Sequence, residues 1–363
     1  MRRFMLFLFC LLIVNCARVP ALETSTSTPK PTHRQNHPIP TLTTEPTLRA
    51  LAEARGFWIG AAADAKAISQ EPRYAELLAQ EYNMLTPENV MKFEYIHPEP
   101  ERYDFSLADL LVDFAQAHGM AVRGHTLVWH NQLPKWILQG QFTQDEWMTI
   151  LREHIHTVVG HYRGKVVAWD VVNEAFDEQG TLRDTIWLRH IGPQYIALAF
   201  QWAHEANPQA KLFYNDYGAE GLSPKSEAVY QMVQGLLKEG IPIHGVGLQM
   251  HIALNTAPAT SEVVANMQRL GALGLEMHIT EMDVRIAENN TLQGLKQQAE
   301  IYGDMLGVCL SAANCKAFVV WGLTDRYSWI PQYFGVADAP LPFDENFQPK
   351  PAYYALMDVL KGK

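Results

Sequence analysis

The sequence predicts an α/β protein folded as a single (β/α)8 TIM barrel, and three observations carry that expectation. Eight short apolar or β-branched runs recur from about residue 48 onward, with amphipathic helical patterns between them. The alternation continues over roughly 310 residues, a length that suits one barrel. Polar side chains also gather at the C-terminal ends of the runs, the face on which a barrel assembles its site. An open doubly wound sheet is the alternative. No Gly-x-Gly-x-x-Gly follows the first run, which weakens its dinucleotide-binding form.

In chain order the expected strands are 56–63, 82–87, 121–129, 166–173, 211–215, 245–250, 276–280 and 317–321. The helices between them carry start and stop signals. Ser106 through Asp109 should open a helix whose buried face is Leu107, Leu110, Leu111 and Phe114. Thr143 and Glu146 have the spacing of a capping box ahead of Trp147, Ile150 and Leu151. Ser223-Pro224 places proline in a first helical turn, and Gly240 closes that helix after Lys238.

Three regions follow from composition. Residues 1–21 read as a leader, with Arg2 and Arg3 ahead of a short apolar stretch from Phe4 to Val14 that is too short to span a bilayer comfortably. Val19-Pro20-Ala21 suits an ordinary signal peptidase. Ile13-Val14-Asn15-Cys16 has the outline of a lipoprotein box in which Cys16 would be lipidated, although Asn15 stands where that pattern wants Gly, Ala or Ser. Secretion and anchoring to the cell surface through Cys16 are therefore both open. Residues 22–47 are Thr, Ser, Pro and His with almost no large apolar side chains, the composition of an extended tether. Residues 48–363 are uniform in character and form the one catalytic domain expected.

The 363 residues are 48% hydrophobic and 19% charged, with a formal net charge of −10. That balance is globular and argues against nucleic acid or an anionic membrane as partner. A substrate close to neutral is expected, and nothing in the chain argues for more than a monomer. Outside the leader the only cysteines are Cys309 and Cys315, which in an exported chain most simply form a structural disulfide.

Two carboxylates each end an apolar run that should be buried: Glu174 after Val171-Val172-Asn173, and Glu281 after His278-Ile279-Thr280. Cleaving a glycosidic bond needs one carboxyl to protonate the leaving oxygen and another to attack or assist at the anomeric carbon. Metal-assisted hydrolysis is the rival, with His125, His130, His251 and His278 as conceivable ligands. No His-x-His or His-Glu-x-x-His lies on one element, however, so no metal or other cofactor is expected. The polar set is also interleaved with Trp129, Tyr217, Trp321 and Trp329, whose faces suit sugar rings.

Six segments together resemble the endo-β-1,4-xylanases of glycoside hydrolase family 10. They are Gly124-His-Thr-Leu-Val-Trp-His130, Trp169-Asp-Val-Val-Asn-Glu-Ala175, Tyr214-Asn-Asp-Tyr217, Gly247-Leu-Gln-Met-His251, Ile279-Thr-Glu-Met-Asp283 and Trp321-Gly-Leu-Thr-Asp-Arg-Tyr-Ser-Trp329. They appear in family order and spacing, and the pair Cys309 and Cys315 matches a disulfide of many members. The resemblance implies endo-hydrolysis of xylan by a retaining mechanism with a covalent intermediate. Glu174 would be the acid/base and Glu281 the nucleophile. His251 would lie between Glu281 and Asp283, and Asn173 would bond the sugar's 2-hydroxyl. Gln249 and Trp129 would flank the acid/base, with His125 on the same sugar. Glu88, Asn89, Lys92 and Gln132 would line the non-reducing side, Trp321 and Trp329 the floor and wall, and Tyr217 would also bind substrate. Gly218 departs from the pattern, standing where many relatives carry Asn. A cellulase or mannanase on the same barrel, or a binding protein without catalysis, remains as a rival reading.

Overall fold

The computed structural model describes residues 46–286 and 291–363. The expected leader, with Cys16, and all but the last two residues of the expected tether lie outside the described residues. Among those described, the barrel strands are β1 (Trp58–Ala63), β2 (Met84–Pro87), β3 (Ala121–Val128), β4 (Ala168–Asn173), β5 (Lys211–Asp216), β6 (Gly245–Leu248), β7 (Glu276–Arg285) and β8 (Cys315–Val320). Each pairs in parallel with the next, and β8 returns to β1 in the register Trp58↔Ala317 through Ala61↔Val320. The sheet is thus a closed eight-stranded barrel with helices around it, and no barrel edge is left unpaired.

Alternation along the strands separates two apolar regions. On β8, Phe318 and Val320 join the large core between sheet and helices, whereas Ala317 and Val319 join Met84 in a small cluster of their own. A charged group shares the buried strand layer: Arg123 is fully buried, its guanidinium on the Asp170 carboxylate and 2.8 Å from His278 Nδ1. A buried charge of this kind persists only when paired and hydrogen-bonded.

The helix Gln144–His161 begins with the capping box, Glu146 Oε2 accepting from Thr143 N at 2.7 Å while Thr143 Oγ1 accepts from Glu146 N at 3.3 Å. Pro224–Lys238 is helical, capped by Ser223, and Gly240 beyond it has φ +72°. The helix Ser106–Ala117 differs from expectation. Asp104, not Ser106, supplies the acceptor, taking hydrogen bonds from Ser106 N at 3.1 Å and Ser106 Oγ at 2.6 Å. The fully buried residues are Ala108, Leu111, Val112 and Ala115, Leu110 and Phe114 are half-buried against the core as expected, and Leu107 is exposed. Of the expected face only Leu107 turns to solvent; the stripe is centred on Leu111, with two alanines beside it.

Strand β7 also runs further than 276–280. A short strand, His251–Ala253, pairs with Asp283–Arg285 and extends it, so Glu281 and Asp283 lie within a strand rather than on a loop after one. Cys309 and Cys315 are disulfide-bonded with Cα atoms 5.2 Å apart, tying the end of the helix Leu292–Ser311 to the first residue of β8.

Candidate active site

A cleft of about 1420 Å³ opens across the C-terminal ends of the strands. It is lined by every residue expected to bind substrate, together with Asn173, Glu174, His251 and Glu281. Asp283, the remaining member of the expected set, is fully buried behind His251.

Glu281 is held by two hydrogen bonds, with a second imidazole close by. Asn215 Nδ2 donates to its Oε1 at 2.6 Å, His251 Nε2 lies 3.2 Å from Oε2, and His125 Nδ1 is 3.8 Å from Oε1. Burial alone would push this carboxyl's pKa up. The charge of His125, the hydrogen bond and charge of His251, and the Asn215 amide outweigh burial and hold it at about 2. His251 is the converse case. Burial disfavours its charged form, but Asp283, 3.0 Å from Nδ1, and Glu281 on the other nitrogen raise it to about 10. His251 is therefore an imidazolium at neutral pH, donating from both nitrogens.

Glu174 has a contrasting environment. Its side-chain hydrogen bonds come from neutral donors: Trp129 Nε1 at 2.8 Å, Gln249 Nε2 at 3.1 Å and Asn173 Nδ2 at 3.3 Å. Its backbone leaves β4 with φ +58°, a left-handed turn rare for a residue with a Cβ. The turn is pinned by Glu174 N donating to Asn215 O at 2.9 Å and by Arg183 Nε donating to Glu174 O at 3.3 Å.

Amides connect the two carboxyls. Asn173 Oδ1 accepts from Asn215 Nδ2 at 2.8 Å and from Gln249 Nε2 at 3.1 Å, and Thr280 Oγ1 donates to Asn215 Oδ1 at 2.7 Å. Each amide's orientation is thereby determined by its neighbours. A displacement of one carboxyl must disturb this network and so reach the other.

On the side of β2 and β3, Asn89 Oδ1 accepts from Lys92 Nζ at 3.0 Å and from Gln132 Nε2 at 3.2 Å. Lys92 Nζ stands 4.9 Å from the Trp129 ring centroid and 5.9 Å from that of Trp321, and burial lowers its pKa. Burial pushes Glu88 up to about 7 against the pull of Lys92. Trp329 is fixed from behind, its Nε1 donating at 2.8 Å to the same Asp283 oxygen that faces His251. Across the cleft, Tyr217 is held by Arg183 Nη2 at 3.0 Å from its hydroxyl and by Lys225 Nζ 3.6 Å from its ring centroid. Gly218 follows with φ +66°, a left-handed conformation that Gly and Asn share with little strain.

Some strand-end polar residues do not face the cleft. Asp325 pairs with Lys350 at 2.8 Å and Asp216 with Lys225 at 2.9 Å, where they brace loops. His278, one of the conceivable metal ligands, sits on Arg123 outside the cleft, and among the described residues no group of three His, Cys, Asp or Glu is arranged to hold a metal ion. Two contributors were missing from the expected set. Asn215 touches Glu281 directly. Asp170 accepts from His125 Nδ1 at 3.0 Å and is itself anchored by Arg123, which aims the imidazole. A signal for the second existed, since Arg123 within an apolar strand demands a buried anion.

A parallel barrel bearing two carboxyls in one aromatic-walled cleft is the apparatus of a glycoside hydrolase. The glycosyl hydrolase family 10 profile matches residues 47–359, and the chain belongs to that family. It is 44% identical over 319 residues to endo-1,4-beta-xylanase B of Thermotoga neapolitana, covering 87% of this chain and 92% of the relative. It is 39% identical over 319 residues to exoglucanase XynX of Acetivibrio thermocellus, covering 84% of this chain and 29% of that longer protein. The fold is similar to the crystal structure of xylanase 10B from Thermotoga petrophila RKU-1 in complex with xylobiose. The TM-score is 0.86 at 46% identity, with 88% of this chain and 98% of the other covered.

Proposed function

We propose that this chain is an endo-β-1,4-xylanase that hydrolyses xylan with net retention through a covalent glycosyl-enzyme intermediate. Its similarity to a named endo-xylanase and to a xylanase bound to xylobiose supports the substrate class. The cleft walled by Trp129, Trp321 and Trp329 also suits an uncharged polymer with apolar ring faces. The observation that carries the mechanism is the asymmetry of the two carboxyls. Glu281 is held ionised at about 2 among charged and amide donors, as a nucleophile must be, while neutral donors surround Glu174.

In the first step Glu281 attacks the anomeric carbon, the glycosidic C–O bond breaks, and the leaving oxygen takes the proton of Glu174. In the second, Glu174 removes a proton from water, whose oxygen attacks the same carbon and displaces Glu281. The Asn173 amide would bond the 2-hydroxyl, an interaction that strengthens in the transition state. No cofactor enters either step. The leader supports an extracytoplasmic place of action for a monomer, freely secreted or held through Cys16.

The test combines specificity with stereochemistry. Reducing sugar should be released from xylan and not from mannan or carboxymethylcellulose, and proton NMR should show β-anomers first. Glu174→Ala should still cleave an activated aryl β-xylobioside, with azide restoring turnover as a β-glycosyl azide, whereas Glu281→Ala should be inactive on both substrates. Early α-products, or azide rescue of Glu281→Ala as a β-azide, would overturn the assignment, whereas an α-azide from that variant would agree with Glu281 as the nucleophile.

A further inference from the structure

Beyond Trp329 the chain forms a short helix, Ile330–Phe334, with Pro331 in its first turn and Gly335 ending it at φ +69°. Ile330 is buried and anchors it, yet Tyr333 is 72% exposed, Phe334 41% and Val336 47%. A soluble protein gathers few large apolar side chains at one exposed spot without using them. Tyr333 and Phe334 line the same cleft as Glu174 and Glu281. Their rings continue from that of Trp329, with centroids 5.0 Å from Trp329 to Tyr333 and 4.9 Å from Tyr333 to Phe334. The patch is also stiffened. The Arg285 guanidinium lies 3.4 Å from the Phe334 ring centroid and is paired with Asp338 at 3.4 Å. A surface already fixed in place loses little freedom when a ligand settles on it.

We propose that Tyr333, backed by Phe334, is an additional platform for a sugar ring of the polysaccharide main chain, remote from the cleavage point. The inference rests on the xylanase reading and extends it to how long chains are held. The occupant follows from continuity, because the platform prolongs the wall of the cleft in which the main chain must lie. Gln332, exposed beside it and also lining the cleft, offers an amide to ring hydroxyls at the edge of the stack.

The test uses the full-length protein with two substrates of different reach, xylohexaose and an aryl β-xylobioside. In Tyr333→Ala the ratio of kcat/KM for xylohexaose to that for the aryl xylobioside should fall about tenfold, with KM for xylohexaose carrying most of the change. Tyr333→Phe keeps the ring and should keep the ratio. An unchanged ratio in Tyr333→Ala of normal melting temperature would overturn the proposal, and so would a parallel loss on both substrates. Wild-type protein inactive on both would remove the xylanase reading and this platform with it.

Discussion

His251 keeps a positive charge where burial alone would remove it, because carboxylates face both of its ring nitrogens. Its folded pKa of about 10 lies above the ordinary value near 6.5. The charge therefore contributes stability that is full below about pH 6.5 and is lost as pH rises toward 10. Glu281 works in the opposite sense. Held at about 2, it contributes stability above the ordinary carboxylate range that is lost as pH falls toward 2. In an NMR titration of ring nitrogens, His251 should keep imidazolium shifts through neutral pH and change only near pH 10, and Asp283→Asn should move that midpoint down. A wild-type midpoint near 6.5 would refute the charged sandwich. That Glu174 and Glu281 would meet in one cleft was legible in the sequence, because a carboxylate closing an apolar run has few structural uses. Asn215 was not. An amide at a strand end is inexpensive to solvate, so nothing in the sequence distinguishes one that clamps a buried carboxylate such as Glu281 from one that faces water.

At the scale of elements, local chemistry was readable where both partners lie within a few residues. Thr143 and Glu146 satisfy each other within one helical turn, and the structure contains that box. Thr143→Ala should cost about 1 kcal/mol, read as a lower urea midpoint at unchanged m-value with kcat/KM preserved, since the cap lies outside the cleft. A variant with the wild-type midpoint would show the box to be energetically idle. The reading failed where the acceptor lay on the other side of the expected cap, or the partner far along the chain. The Ser106 helix takes its acceptor from Asp104, just upstream, and its fully buried residues combine small and large side chains, Ala108 and Ala115 with Leu111 and Val112. The extension of β7 depends on His251–Ala253, some thirty residues earlier, and no periodicity within 276–285 announces that pairing. The fold class survived both errors because it depends on the number and order of elements rather than on their ends.

For the molecule as a whole, closure brings the first and last described helices together. Glu81 accepts from Leu48 N at 3.0 Å and from the Tyr353 hydroxyl at 3.1 Å, and Arg55 Nε donates to Leu360 O at 2.8 Å. A net charge of −10 would keep such a molecule off anionic lipid, so retention at a membrane would need a covalent chain. The expected outcome is free secretion, with mature protein in the medium beginning at Leu22. Partition into detergent with the membranes, abolished by Cys16→Ser, would replace that expectation with the anchored form. One feature of the barrel rim bears on how the protein can evolve. Gln132 and Glu174, both close after strand ends and neither in the apolar core, occupy left-handed backbone that glycine would adopt without strain. Selection for heat resistance alone would favour glycine at such points, and selection for turnover opposes it wherever the side chain has work to do. At Glu174 the two pressures meet in one residue, so adaptation to heat has to proceed through the helices and loops while the rim keeps its strain.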